Sequence, residues 1–249
     1  MRFVAAAFCS LTLFAGMARG QSAPNPAAND QLALAIAKDS AAAAQAALDA
    51  GADINANLGE GRTPLITAVM MVKPEAVKFL LEHGADPNRT ADDGAVGNAL
   101  SAAFFAMSGV AITRRGDEDY VNERRAKALE SLRLVAARKP DFDVLVSRGP
   151  TRLSPLMIAA DAGVADAVKI LLDAGASPNF VNGGRYSALD YAVDRAPGWS
   201  PTPAAERLEV VKLLLAAGAQ TKKVGADKLS PLERARKAAN TEAVALLSK

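Results

Sequence analysis

The sequence predicts an all-α solenoid of about six helix-turn-helix units joined by β-hairpin-like loops, and three observations predict it. A leucine-rich helix ending in Gly-Ala returns down the chain, at Leu80, Leu81, Gly84 and Ala85, at Leu171, Leu172, Gly175 and Ala176, and at Leu214, Leu215, Gly218 and Ala219. The returns keep a period: Gly51 and Gly84 stand 33 residues apart, and so do Ser154 and Ser187. A hydroxyl-Pro-Leu triplet restarts the pattern at Thr63, Pro64 and Leu65, at Ser154, Pro155 and Leu156, and at Ser230, Pro231 and Leu232. A fixed period of this size marks stacked units, each burying its apolar face against its neighbours.

Residues 1–20 read as a secretory signal. Arg2 precedes an apolar run from Phe3 to Phe14, and Ala18, Arg19 and Gly20 give a small-x-small end for cleavage before Gln21. The run is too short for a bilayer span and is followed by Gly16. Cleavage would remove Cys9, the only cysteine, so the mature chain would enter an oxidising compartment with neither disulfide nor thiol. Two of the 29 basic residues, Arg2 and Arg19, go with it, and the remainder balances the 27 acids. A neutral chain of this kind is not expected to bind nucleic acid, and no later stretch is apolar enough to span a membrane. Residues 21–29 are read as a linker, and 30–249 as one repeat domain.

Each unit begins with a hydroxyl or amide able to cap the free N–H groups of a helix start, often followed by a proline preset for the first turn. Asp30, Gln31 and Leu32 are expected to open unit one, with weaker copies of the restart at Asn98, Ala99 and Leu100 and at Ser187, Ala188 and Leu189. A short helix, a tight turn and a longer helix follow, the longer one with apolar residues at helical spacing, as in Ala76, Val77, Leu80 and Leu81. Gly84, Gly175 and Gly218 are placed to leave that helix in the left-handed conformation. The connections from Asn57 to Arg62 and from Asn182 to Arg185 are polar and carry glycine, as hairpin tips do.

Departures from the period locate insertions. Thr63 to Gly84 and Ser154 to Gly175 each span 21 residues, whereas Asn98 to Lys139 spans 41 and Ser187 to Gly218 spans 31. Units three and five therefore carry about 20 and 10 extra residues between their two helices, on one edge of the stack, flanking a unit that has none. The first insertion, Ala111 to Arg125, is expected to extend the start of the second helix, with Val121, Ala128, Leu132 and Val135 on one face and Arg124, Arg125 and Lys127 off it. It is also expected to cover Met70, Met71 and Val72. The second, Ala196 to Ala205, holds the only Trp, Trp199, in a proline-rich turn, where it either packs the turn onto the stack or anchors a partner.

In spacing and in its Thr-Pro-Leu and Gly-Ala punctuation the chain resembles the ankyrin-repeat family over nearly all of residues 30–249. The family's histidine after Thr-Pro-Leu is replaced by Ile66, Ser101, Met157, Asp190 and Glu233. The resemblance implies an extended stack that binds other proteins through its hairpin tips and first helices.

The residue inventory argues against an enzyme. One histidine and no mature thiol leave no base and nucleophile pair. His83 precedes Gly84 in the last turn of a helix, where a basic ring suits the dipole. Asp53, Asp86 and Asp141 recur in register as hairpin residues, and Asp92, Asp93 and Gly94 lack the alternating ligands of a calcium loop. No cofactor or metal is expected, and the protein is expected to be a monomer.

The candidate partner-binding residues are instead Arg148, Arg152, Phe180, Arg185, Tyr186, Lys222 and Lys223, together with Trp199. The last three connections, Val144 to Leu153, Phe180 to Tyr186 and Thr221 to Leu229, hold six bases, counting Lys228, against one acid, Asp227. They suit another protein with an acidic surface. The functional expectation is a non-catalytic protein-protein interaction module of the bacterial cell envelope, periplasmic or secreted after cleavage near Gly20. The alternative is a periplasmic immunity or inhibitor protein that occludes a toxin or enzyme.

Unit one is alanine-dominated, with Ala41 to Ala44, Ala46, Ala47 and Ala50 in its second helix. Each alanine standing where other units have leucine forgoes about 0.8 kcal/mol per methylene. Amide exchange should therefore be fastest in unit one, and native-state exchange that finds equal protection there and in unit four would contradict this.

Overall fold

The structure is a computed structural model that describes residues 25–91, 96–113, 117–148, 151–194 and 204–248. The signal segment, the Asp92, Asp93 and Gly94 turn, and Trp199 lie outside the described residues. Six helix pairs follow in order: α1 (Pro26–Ala37) with α2 (Ala41–Asp49), α3 (Pro64–Met70) with α4 (Pro74–Glu82), α5 (Ala99–Thr113) with α6 (Glu118–Ala136), then, after the strands β1 (Val146–Arg148) and β2 (Thr151–Leu153), α7 (Pro155–Ala162) with α8 (Ala165–Ala174), α9 (Ala188–Val193) with α10 (Ala204–Ala216), and α11 (Pro231–Lys237) with α12 (Thr241–Leu247). Each first helix packs on the next first helix and each second helix on the next second helix, from α1 to α11 and from α2 to α12. Leu80, Leu171 and Leu214 are fully buried at equivalent places in one continuous core.

The restarts act as caps. Thr63 Oγ1 accepts the Ile66 N–H at 3.2 Å, Ser230 Oγ that of Glu233 at 3.3 Å, and Asn98 Oδ1 that of Ser101 at 3.2 Å. Where the family carries histidine, Asp190 Oδ2 accepts from the backbone N–H and hydroxyl of Ser187, and Glu233 Oε2 does the same for Ser230. Those substitutions turn the position inward on its own unit as a capping box. Gly84, Gly175 and Gly218 have φ of 90°, 110° and 85°, and Lys139, with φ of 49°, takes the same left-handed place in unit three. One start differs from expectation: α1 begins at Pro26, with Asn25 before it, rather than after Asp30. Pro26 fits the first helical turn, and the five added residues, 26–30, carry Asn29 to the next hairpin.

That asparagine begins a row of bonds along the stack. Asn29 Oδ1 accepts the Asp53 N–H at 2.9 Å, Asn55 Oδ1 that of Asp86 at 2.8 Å, Asn88 Oδ1 that of Asp141 at 2.7 Å, and Asn179 Oδ1 that of Gln220 at 2.8 Å. Asp53, Asp86 and Asp141 each also accept the N–H two residues on, at 2.9 Å. The row is interrupted once: Asp143 occupies the asparagine place, and among the described residues no bond joins it to Ser177, its counterpart in unit four.

The first insertion is shared between two helices. α5 has 15 residues where α3 has 7, and α6 has 19 where α4 has 9. Asp117 caps α6 through the Tyr120 N–H, and Ala128, Leu132 and Val135 are buried with Val121 half-buried. The lengthened pair α5 and α6, rather than residues 111–125 themselves, covers Val72, which packs with Ala106 and Ala128 in a cluster apart from the main core. It does not cover Met71, which stays 40% exposed. Met70 is half-buried, and its carbonyl accepts from Arg124 at 3.4 Å.

Burial, with the neighbouring Asp141 carboxylate, pushes the Asp143 carboxyl above its ordinary value. A raised value means that the contribution of this group to stability is present in acid and lost as pH rises through it. Asp143 is solvent-exposed, so Asp143→Asn should stabilise the protein at neutral pH only slightly, by at most about 0.5 kcal/mol, by removing a charge that stands beside Asp141. Urea unfolding should find the gain shrinking in acid, where Asp143 is protonated; a gain independent of pH would contradict the account.

Candidate functional site

The connections ahead of α7, α9 and α11 form one linked row. In the first, β1 and β2 pair antiparallel with Val146 opposite Leu153, Ser147 opposite Arg152 and Arg148 opposite Thr151. Alternation turns Val146 and Leu153 into the core and leaves Arg152 exposed. A Cβ on Gly97 would lie 1.9 Å from Val146 Cγ1, so that glycine seats the hairpin base. Arg152 Nη2 donates to the Leu145 carbonyl at 2.8 Å, which fixes the guanidinium without neutralising it.

Buried Asn182 ties the second connection to the first. Its Nδ2 donates to the Arg152 carbonyl at 3.0 Å and to Tyr191 Oη at 2.8 Å, and its Oδ1 accepts the N–H groups of Gly184 and Tyr186. All four of its hydrogen-bonding positions are used. Burial holds the Tyr191 phenol above its ordinary value, so it stays an uncharged acceptor. Arg185 sits at the turn with φ of 61°, exposed. The Ala226 N–H, in the third connection, donates to the Gly184 carbonyl at 2.9 Å and joins the third tip to the second.

Tyr186 is a wedge rather than an open contact. Its ring meets Tyr191 edge-on at 6.2 Å, with the Arg234 guanidinium carbon 4.7 Å from its centroid. Cβ atoms on Gly184 and Gly225 would approach the ring to 2.8 and 2.2 Å. Phe180 is half-buried against the core. Of the expected aromatic contacts, then, Phe180 and Tyr186 serve mainly as packing, and Val224, 39% exposed, is the apolar side chain offered at the third tip.

Arg234 was not expected. Its side chain is 9% exposed; Nη2 donates to both Asp227 carboxylate oxygens at 2.8 Å, Nη1 to Asp194 Oδ1 at 3.4 Å, and Nε lies 3.5 Å from Asp190 Oδ1. Burial opposes its charge, but Asp194, Asp227 and Asp190 outweigh burial and raise its pKa. For Asp227 burial likewise works against the charge, and the Leu229 N–H and Arg234 overcome it, lowering its pKa. The sequence did hold a signal: Arg234 stands four residues after Ser230, in the register of Ala102 and Ile158, which are core. A cation in a core register requires carboxylates beside it.

The acids of this region are thus drawn onto Arg234, while the cations are left over. Arg152, Arg185, Lys222 and Lys228 are exposed and Lys223 is half-buried, and among the described residues none of the five pairs with a carboxylate. On the opposite edge, Arg125 of α6 forms an ion pair with Glu206 of α10 across unit four. A cleft of about 430 Å³ lies there, lined by Asn122, Arg125, Leu129, Asp166 and Glu206 among others. His83 stacks on Phe79 at 4.0 Å with Nδ1 2.8 Å from the Phe79 carbonyl, a helix-end contact. No helix of the described residues is long and apolar enough to cross a membrane.

A model of the ankyrin repeat family, described as three copies of the repeat, matches residues 4–91 and 125–222. The chain belongs to the ankyrin-repeat family, a scaffold for binding other proteins, and no enzyme family is indicated. Among solved structures it is similar to the ankyrin repeat protein EF0377, at 24% identity and a TM-score of 0.68 over 89% of this chain and 98% of that one. It is similar to an ankyrin repeat domain from Acinetobacter baumannii AYE at 25% identity and a TM-score of 0.66, over 87% and 95%. It also resembles a chain in the complex of a Bdellovibrio bacteriovorus predatory endopeptidase with an immunity protein, at 20% identity and a TM-score of 0.58, over 88% and 96%. No curated protein matches the chain.

Removing the guanidinium strands three carboxylates, one of them buried. Arg234→Ala should cost about 3 kcal/mol, and because the lowered Asp227 value gives stability that is lost as pH falls through it, the variant should lose part of its acid sensitivity. Thermal unfolding across the acid range checks both; an unchanged pH profile would contradict the pairing.

Proposed function

We propose that this protein is a non-catalytic binding module of the bacterial cell envelope, exported by its N-terminal segment and cleaved near Gly20, that docks an acidic partner protein on its C-terminal hairpin tips. One observation carries the reading: five cations that, among the described residues, have no carboxylate partner stand on three successive tips that hydrogen bonds join to one another. A rigid row of this kind loses little freedom on binding. Export rests on the charge, apolar run and small-residue end of residues 1–20.

A second reading, that the protein is an immunity or inhibitor protein occluding a toxin or enzyme, is favoured by the opposite edge. There α6 and α10 project beyond unit four and flank an open cleft. The fold-level likeness to a chain of the endopeptidase and immunity-protein complex is compatible with it.

Capture of partners from the envelope fraction distinguishes the two. Changing Arg148, Arg152 and Arg185 together to Glu should lower affinity for the captured protein at least about tenfold, with unchanged circular dichroism. If affinity is unaffected by that change but falls with Asn122→Arg in the cleft, the tips are dismissed in favour of the inhibitor reading.

A further inference from the structure

Resting on the acidic-partner reading, we infer that the partner contributes an extended acidic segment, laid along the stack with its carboxylates about three residues apart. The spacing follows from the geometry of the tips. Successive units of packed helices repeat about every 8–10 Å, and the bonds from Asn182 to the Arg152 carbonyl and from Ala226 to the Gly184 carbonyl hold neighbouring tips in direct contact. An extended chain rises about 3.3 Å per residue, so a carboxylate at every third position meets one tip after another: Arg152, Arg185, then Lys222 or Lys228.

The shape of the row favours an extended occupant over a helix. Each tip is only a pair of strands or a closed turn wide, about 5 Å, as where the Asn182 N–H bonds to the Tyr186 carbonyl at 3.1 Å. A helix body of about 10–12 Å would overhang a ridge of that width, and its matching carboxylates would have to stand about seven residues apart.

The charge pattern gives direction as well as sign. Asp227, the one acid in these three connections, is committed to Arg234 by two bonds of 2.8 Å, and Asp194 and Asp190 face the same guanidinium. Nothing acidic at the tips therefore competes for Arg152, Arg185, Lys222 and Lys228, and exposed Val224 beside the two lysines provides an apolar contact for the segment's end.

The test uses the full chain and labelled synthetic peptides in low salt, measured by fluorescence anisotropy. Three glutamates at every third position of a Gly-Ser background are compared with the same three placed consecutively, placed at every seventh position, or replaced by lysine. The first should bind about tenfold tighter than the other acidic peptides. Arg185→Ala, at an exposed side chain that makes no bond among the described residues, should remove most of that preference. Equal binding of all acidic peptides would overturn the spacing while leaving an acidic partner in place. Tighter binding of the seven-residue spacing would replace the extended segment by a helix, and binding of none would overturn the proposal. If the captured partner nonetheless loses affinity on charge reversal of the tips, the acidic-partner reading survives that failure.

Discussion

Helices of seven to ten residues, such as α3 and α8, are too short to persist in water by themselves. Each pair has only one neighbour on either side against which to bury Leu80, Leu171 or Leu214 and their equivalents. Hydrophobic burial supplies the attraction between units but no register, because apolar contact is non-directional. Register comes from the asparagine row, in which a side chain of one unit accepts a backbone N–H of the next. The connections are held at matched heights along the stack, and so are the tips that they end in.

The insertions alter this nearest-neighbour arrangement. Val72 is a β-branched residue at φ of 57°, a conformation it enters at a cost; Asp39 and Ala239 take the same turn position without a β-branch. Its burial with Ala106 and Ala128 compensates, so the strained turn of unit two and the lengthened helices of unit three depend on each other. From the same lengthened α6, Arg125 reaches Glu206 and connects unit three to unit five across unit four. An interaction between units that are not neighbours is unusual in a solenoid, whose stability is otherwise a sum of adjacent terms.

The fold was legible because its determinants are local and periodic: Thr63-Pro64-Leu65 and Gly84 mark both ends of a unit, and six such units could be counted before any coordinate. The in-register Asp53, Asp86 and Asp141 were legible as hairpin residues for the same reason. Less legible was the division of the first insertion between α5 and α6, because Gly116 and the acids after it mark only the second helix start. The role of Tyr186 was hidden as well. An aromatic beside arginine reads as a contact surface, and only the glycines at 184 and 225, brought to opposite edges of its ring by different connections, reveal a wedge. Arg234 needed the register of its helix to be compared across units, since its partners lie up to 44 residues away at Asp190.

A chain of small net charge, +2, can still present a basic surface, and the reason lies in hydrogen-bond chemistry. Turns and helix starts expose N–H groups that need acceptors; carboxylates only accept, whereas ammonium and guanidinium groups only donate. Acids are therefore drawn into the backbone of the connections. Asp39 accepts the Ala76 N–H, Asp117 that of Tyr120, Asp141 that of Asp143 and Asp227 that of Leu229, with Asp190 and Glu233 on Ser187 and Ser230. Each such charge is fixed beside positive N–H dipoles. Lysine and arginine have no corresponding demand on them except from carbonyls, as at Leu145, and apart from buried Arg207 and Arg234 most remain at the periphery on long side chains. A solenoid with many short connections sorts its charges in this way at every unit, and where a buried arginine such as Arg234 takes up the nearby acids, the sorting leaves the tips positive.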